Sequence, residues 1–218
     1  MQSHLKCLGD FNMNEHQEHN KYQQRYFSDN IDVFREEIPG DVKQRTEAIV
    51  AAAQLTPRDR VLDVGTGLGV LIPYFQGYHV NEIVGCDLNS SMLAEARQKY
   101  PALRFWHGDF IDLPQSLGLF DAVFFNAMFG NVWDQRAALI KAATLLKKGG
   151  RIIISHPMGA SFAEELHQQD SKMVLHPLPG RAQLDEMIRC LTLKVQLFRD
   201  DYDLYIVVLR LLDIQSQR

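Results

Sequence analysis

No stretch of this chain approaches the roughly 20 consecutive apolar residues that a membrane-spanning helix needs. The opening MQSHLKCLGDFNMNEHQEHN has no apolar core of about 7–15 residues, so no secretory signal is read there. Runs of Lys and Arg are missing as well. With 23 basic against 27 acidic residues the net charge is −4, which argues against nucleic acid as the main partner. Cysteine is scarce: Cys7, Cys86 and Cys190 lie far apart and are odd in number, which excludes a disulfide frame or a cysteine metal site. There is no internal repeat and no low-complexity linker. What is present is ordinary for a globular domain, 46% apolar and 23% charged residues over 218 positions. The expected setting is the reducing cytoplasm.

The first twenty residues are polar and aperiodic, and a flexible tail over 1–20 is expected. His16 and His19 beside Glu15 and Glu18 are read as part of that solvated tail, not as a metal site. Tyr22, Tyr26, Phe27, Ile31 and Phe34 then recur at helical spacing over 21–40. Pro39 and Gly40 break the chain, and Asp41 with Gln44 is read as a capping box for the next helix.

From Arg60 the rhythm becomes strand, turn, helix. RVLDVG is a strand, with a helix expected over Leu68 to Phe75. EIVGCD is a second strand, followed by a helix capped by Asn89 or Ser90 and stopped by Pro101. LRFWHG and FDAVFFN read as strands too apolar to be half exposed. DQRAALIKAATLLKK reads as a helix capped by Asp134 and closed by Gly149, and RIIISH as the fifth strand. LTLKVQLFRD and DLYIVVLRLL are two strand-like runs around a short polar turn, an antiparallel hairpin. The fold class expected is α/β: a Rossmann-like three-layer sandwich whose mostly parallel seven-stranded sheet ends in that hairpin.

Gly65, Gly67 and Gly69 follow the first strand, where an open parallel sheet binds its ligands. Glycine there lets backbone amides approach a ligand. Asp87 ends the second strand, 22 residues after Gly65, where a carboxylate can accept from both ribose hydroxyls. Asp63 is an acid within the first strand, and burying it costs several kcal/mol unless it is paired or hydrogen-bonded. A dinucleotide would meet G-x-G-x-x-G with a pyrophosphate at the helix start. Here the spacing is G-x-G-x-G behind an acid, which suits the ammonium of an amino acid better than pyrophosphate. The ligand expected is a ribonucleoside with an aminoacyl-like tail, the shape of S-adenosylmethionine.

With those residues in view, the chain resembles the class I S-adenosylmethionine-dependent methyltransferases, in particular the small-molecule group of ubiquinone/menaquinone-type enzymes. VLDVGTGLG, VGCDLNSSMLAEAR, FWHGDFIDLP, FDAVFFNAMFGNVWD and LLKKGGRIIIS are similar to its five motifs in order. The resemblance implies a methyltransferase domain over 41–218, a helical lid over 21–40, and S-adenosylmethionine as cofactor. It implies cofactor contacts from Asp63, Gly65, Thr66, Gly67, Gly69, Asp87, Leu88, Asp109, Phe110 and Asn126. Asp109 would face the adenine amino group. Tyr22, Tyr26, Met128, Phe129, Trp133, His156 and His176 are the residues expected around a small-molecule acceptor. The family's histidine-rich segment after the fourth strand is replaced by NAMFGNVWD, and no NPPY signature of amide-directed enzymes follows Asn126.

Methyl transfer from a sulfonium needs alignment and water exclusion, and a base only where the acceptor must lose a proton. His156, after the fifth strand, is the base candidate, against a plain strand-end histidine bonded to backbone. His107 reads as structural and His167 as solvated. A cofactor-binding relative without turnover and a nicotinamide-dependent oxidoreductase are the competing readings.

Overall fold

A computed structural model describes residues 13–213, so Cys7 and the first twelve residues of the expected tail lie outside the described residues. The chain opens with three helices, α1 (Met13–Asp29), α2 (Ile31–Arg35) and α3 (Gly40–Ala52). Strands and helices then alternate: β1 (Arg60–Val64), α4 (Ile72–Gly77), β2 (Glu82–Asp87), α5 (Ser90–Lys99), β3 (Arg104–His107), β4 (Phe120–Asn126), α6 (Gln135–Thr144) and β5 (Leu146–His156). Helices α7 (Gly159–Gln169) and α8 (Arg181–Ile188) lead to the hairpin β6 (Leu193–Asp201) and β7 (Leu204–Leu211).

The seven strands form one sheet in the order β3-β2-β1-β4-β5-β7-β6. Pairings among β3, β2, β1, β4 and β5 are parallel; β7 runs antiparallel to β5 and β6. The expected Rossmann-like sandwich with its C-terminal hairpin is therefore observed. Chain order reverses between β1 and β4, which opens a crevice beyond their carboxyl ends. Apolar side chains cover both sheet faces. Leu62, Val84, Val123 and Phe125 join one core, and Val61, Ile83, Ala122 and Phe124 the other. Among the described residues no helix is long and apolar enough to cross a membrane.

Several local expectations are corrected. Residues 13–20 are not tail but the first half of α1, which buries His19 and Gln23. Hydrophobic periodicity missed this because the buried face is polar and is satisfied by hydrogen bonds. Helix α4 starts at Ile72, not Leu68, with Pro73 in its first turn. Gly69, at φ +82°, belongs to the preceding turn and cannot be right-handed helix. Asp41 and Gln44 form no capping box: the N-cap of α3 is Pro39, without a side-chain cap, and Asp41 pairs with Arg45 at 2.8 Å. Strand β3 is half exposed despite its apolar letters, because it is the edge of the sheet. Helix α6 ends at Thr144, since Leu146 already pairs with Phe120 of β4. The Asn89 and Asp134 caps form as read, Asn89 accepting from the Ser91 and Met92 amides and Asp134 from that of Ala137.

Candidate functional site

Asp63 sits on β1 in register with Gly85 of β2 and Phe124 of β4, and is only 3% exposed. Its Oδ2 accepts from the Thr66 hydroxyl at 2.7 Å. Burial pushes its carboxyl up to about 7; the Thr66 bond pulls the other way, and the neighbouring Asp87 charge adds to the rise. The turn after β1 is pinned to β2 by the Gly65 and Thr66 amides, both donating to the Cys86 carbonyl at 2.9 and 3.1 Å. Gly65 takes φ +67°, and a Cβ there would lie 2.9 Å from Met128 Cγ. Gly67 faces open space, with nothing within 4 Å of where a Cβ would stand. Gly69 does not face the cavity. A Cβ there would strike Ile72 and Tyr100 at 2.7 Å, so its role is the turn into α4.

Asp87 ends β2. Its Oδ2 accepts from the Gly67 amide and its Oδ1 from the Asn89 amide, each at 2.8 Å. Burial raises its pKa in spite of those two amides. Asp109 follows β3. Its Oδ1 accepts from the Ile111 amide at 3.1 Å, while His16 Nε2 and Asn20 Nδ2 of α1 both reach its Oδ2 at 2.8 Å. These carboxylates open onto one cavity of about 610 Å³, the size of a small-molecule site. Thr66, Leu88, Phe110 and Asn126 line it too, with Asn126 Oδ1 accepting from the Ser155 hydroxyl at 2.9 Å. Of the expected cofactor residues, the structure thus brings all but Gly69 to the cavity.

Helix α1 roofs this space. His16 stacks on Trp133, with ring centroids 5.6 Å apart. His19 Nε2 donates to the Asn131 carbonyl at 2.7 Å, and the Gln23 amide donates to the Met173 carbonyl. Burial lowers the His19 pKa. His16, His19, Asn20 and Gln23 were missed in the sequence. Their only signal is a polar set recurring at i, i+3, i+4 and i+7, one helix face without hydrophobic contrast.

The acceptor side differs more from expectation. Met128 and Trp133 line the cavity. Phe129 does not: it is fully buried edge-on against Phe125. Tyr22 and Tyr26 also stay outside, Tyr22 donating to Asp170 at 2.6 Å and Tyr26 packing edge-on against Phe27, which lines the cavity instead. His176 donates from Nε2 to the Trp133 carbonyl at 3.0 Å and supports the wall from behind. His156 is buried off the cavity, beside Phe162, and its Nδ1 accepts from the Met158 amide at 3.1 Å. Burial pushes its pKa down to about 4, so it is neutral near pH 7. That is the strand-end histidine, not a base facing a substrate. His107 is structural as read, its Nε2 donating to the Leu88 carbonyl at 3.1 Å. His167 is not merely solvated, since its Nδ1 donates to the Val174 carbonyl at 2.7 Å.

Residues 62–154, which hold the glycine turn and all three carboxylates, match the family model of a methyltransferase domain. Over those residues the chain is similar to methyltransferase domains. The demethylmenaquinone methyltransferase of Thermus thermophilus is 35% identical over 119 residues, covering 52% of this chain and 54% of that protein. That of Beutenbergia cavernae is 32% identical over 108 residues, covering 50% and 45%. The chain therefore spans about half the length of the curated relatives it matches. In fold, the chain superposes on magnesium protoporphyrin IX methyltransferase from Synechocystis PCC 6803, solved with bound S-adenosylhomocysteine. That match has a TM-score of 0.66 at 18% identity, covering 88% of this chain and 99% of the other.

Proposed function

We propose that the protein binds S-adenosylmethionine in the cavity beneath α1 and transfers its methyl group to a small-molecule acceptor in the cytoplasm. The observation that carries this is the convergence of Asp63, Asp87 and Asp109 on a cavity lined, among the described residues, by neither Lys nor Arg. Such a cavity fits a ligand with one positive centre and several hydrogen-bond donors. It does not fit a pyrophosphate, since the Gly67 amide already donates to Asp87 and two carboxylates flank the turn. A nicotinamide-dependent reading fails on that point.

When bound, S-adenosylmethionine supplies a methyl group already activated by its sulfonium. In this reading Asp63 holds the ammonium of the aminoacyl tail, Asp87 the ribose hydroxyls, and Asp109 with the Phe110 backbone the base. Residues 13–40 act as lid over the domain that follows. The lid helix excludes water, and Met128 and Trp133 set the acceptor against the cofactor. His156 contributes no proton transfer, being off the cavity with Nδ1 already accepting a backbone bond.

Calorimetric titration with S-adenosylhomocysteine and S-adenosylmethionine, with NAD as control, tests the reading. Micromolar binding of the adenosyl compounds without NAD binding is expected, and NAD binding alone would overturn it. Transfer of labelled methyl into a cell extract then separates turnover from cofactor binding without catalysis.

A further inference from the structure

His16 and Asn20 lie one turn apart on α1, so their side chains leave the same face of the helix. The helix is held in place at points other than Asp109. Asn89, the cap of α5, donates from Nδ2 to the Gln24 carbonyl at 2.7 Å and to the Ser28 hydroxyl at 2.9 Å. With the His19 and Gln23 bonds, this fixes α1 on both sides of Asn20. Asn20 is half-buried and lines the cavity together with Leu88, Asp109 and Phe110, the end that the proposed reading gives to the base.

The hydrogen-bond capacity at this end can be counted. A carboxylate offers about four acceptor sites and no donor. Three protein donors already meet Asp109, the Ile111 amide on Oδ1 and His16 and Asn20 on Oδ2. About one site is left. Because a carboxylate only accepts, the Asn20 amide must present Nδ2 to it, which turns Oδ1 away from Asp109. Among the described residues no donor reaches that oxygen. Two neighbouring acceptors, one on Asp109 and one on Asn20, therefore meet at this edge of the cavity.

We infer that Asn20 is a specificity determinant for the base of the cofactor: its Oδ1 accepts one hydrogen of the exocyclic amino group, and Asp109 accepts the other. This rests on the proposed cofactor reading and adds to it a residue of α1. The pair suits a 6-amino purine and rejects a 6-oxo purine, whose oxygen would face two acceptors. Asn20 cannot turn to donate to that oxygen, since turning would set its own Oδ1 against Asp109. The lid helix then reads the ligand that it covers.

The test titrates the full chain calorimetrically with S-adenosylhomocysteine, its 6-oxo analogue S-inosylhomocysteine, and its N6-methyl derivative. Wild-type protein should bind the inosyl compound at least about a hundredfold more weakly than the adenosyl one. The N6-methyl compound, with one of the two hydrogens gone, should bind about five- to tenfold more weakly. Asn20→Ala should weaken the adenosyl compound about five- to tenfold without weakening the inosyl one, so the preference shrinks by about that factor. A helix that only covers the site would lose both compounds equally, so an unchanged preference in Asn20→Ala overturns the inference. Equal binding of the N6-methyl and parent compounds to the wild-type protein overturns it too, a result that stands even where the variant fails to fold. Failure of S-adenosylhomocysteine to bind the wild-type protein overturns the cofactor reading itself and this one with it.

Discussion

Two buried aspartates, four residues apart, meet opposite fates at the two ends of β1. Asp59 stands just before the strand and is 7% exposed; Asp63 lies within it and is 3% exposed. Burial raises the pKa of Asp59, but Arg151 and Thr56 outweigh it and hold the carboxyl below its usual range. Thr56 donates to it at 2.8 Å, and Arg151 pairs with it while also donating to the carbonyls of Ala53, Gln54 and Asp121. Asp63 has a hydroxyl where Asp59 has a guanidinium, and beside it the like charge of Asp87. The amino end of the sheet is closed by a satisfied ion pair. The carboxyl end leaves an acid short of positive charge, which a cationic ligand can supply.

The sharpest way to break this comparison is to remove the partner that Asp63 lacks. Arg151→Met leaves Asp59 buried without its cation and should cost about 3–5 kcal/mol of stability, read by urea unfolding. A loss under about 1 kcal/mol would mean the two acids are not differently paired. At the other end, Asp87→Ala should weaken S-adenosylhomocysteine about tenfold to a hundredfold, the worth of a charged hydrogen bond. An unchanged dissociation constant would take Asp87 out of the site.

Asp63→Asn tests the strain itself. The folded Asp63 holds its proton up to about pH 7, whereas the unfolded one releases it near pH 4. Between those values the native state binds the extra proton, so this group's contribution to stability falls as pH rises and is flat above about 7. Asp59 has the opposite sign: its contribution is present above about pH 4 and is lost as pH falls through its lowered folded value. Asp63→Asn should therefore remove a falling slope between about pH 4 and 7 and stabilise the ligand-free protein at pH 8 by about 1–2 kcal/mol. It should also abolish the proton released when an ammonium settles beside the acid, measured by calorimetry in buffers of different ionisation enthalpy. A mutant with the wild-type slope would contradict the raised pKa. The smallest effect is expected at His156. Because its ring is off the cavity, His156→Gln should change the methyl-transfer rate less than about twofold, where a working base would contribute at least a hundredfold.

The strands, the glycine turn and the three acids were legible because each rests on local chemistry. Continuous apolar runs mark buried strands, and an acid within such a run is conspicuous wherever it lies. Phe129 shows the limit of that reading. Next to Met128 and close to Trp133 it looks like pocket wall, yet the turn after β4 sends it into the core against Phe125. His156 was placed at the right strand end, but only packing against Phe162 and the Met158 amide decided which way its ring points. Helix α1 was the largest omission: its buried contacts are polar, so no periodic apolar pattern announced them.

By itself the sequence determined the alternation of strand and helix, the terminal hairpin and the acids near the strand ends. These follow from residue type and neighbours a few positions away. The tertiary structure alone decided that His16 and Asn20 meet Asp109 across 93 and 89 residues of chain, and that Arg151 satisfies Asp59 across 92. It also decided that β3 is an edge. Such pairings depend on which surfaces the whole fold brings together, and no local periodicity encodes them.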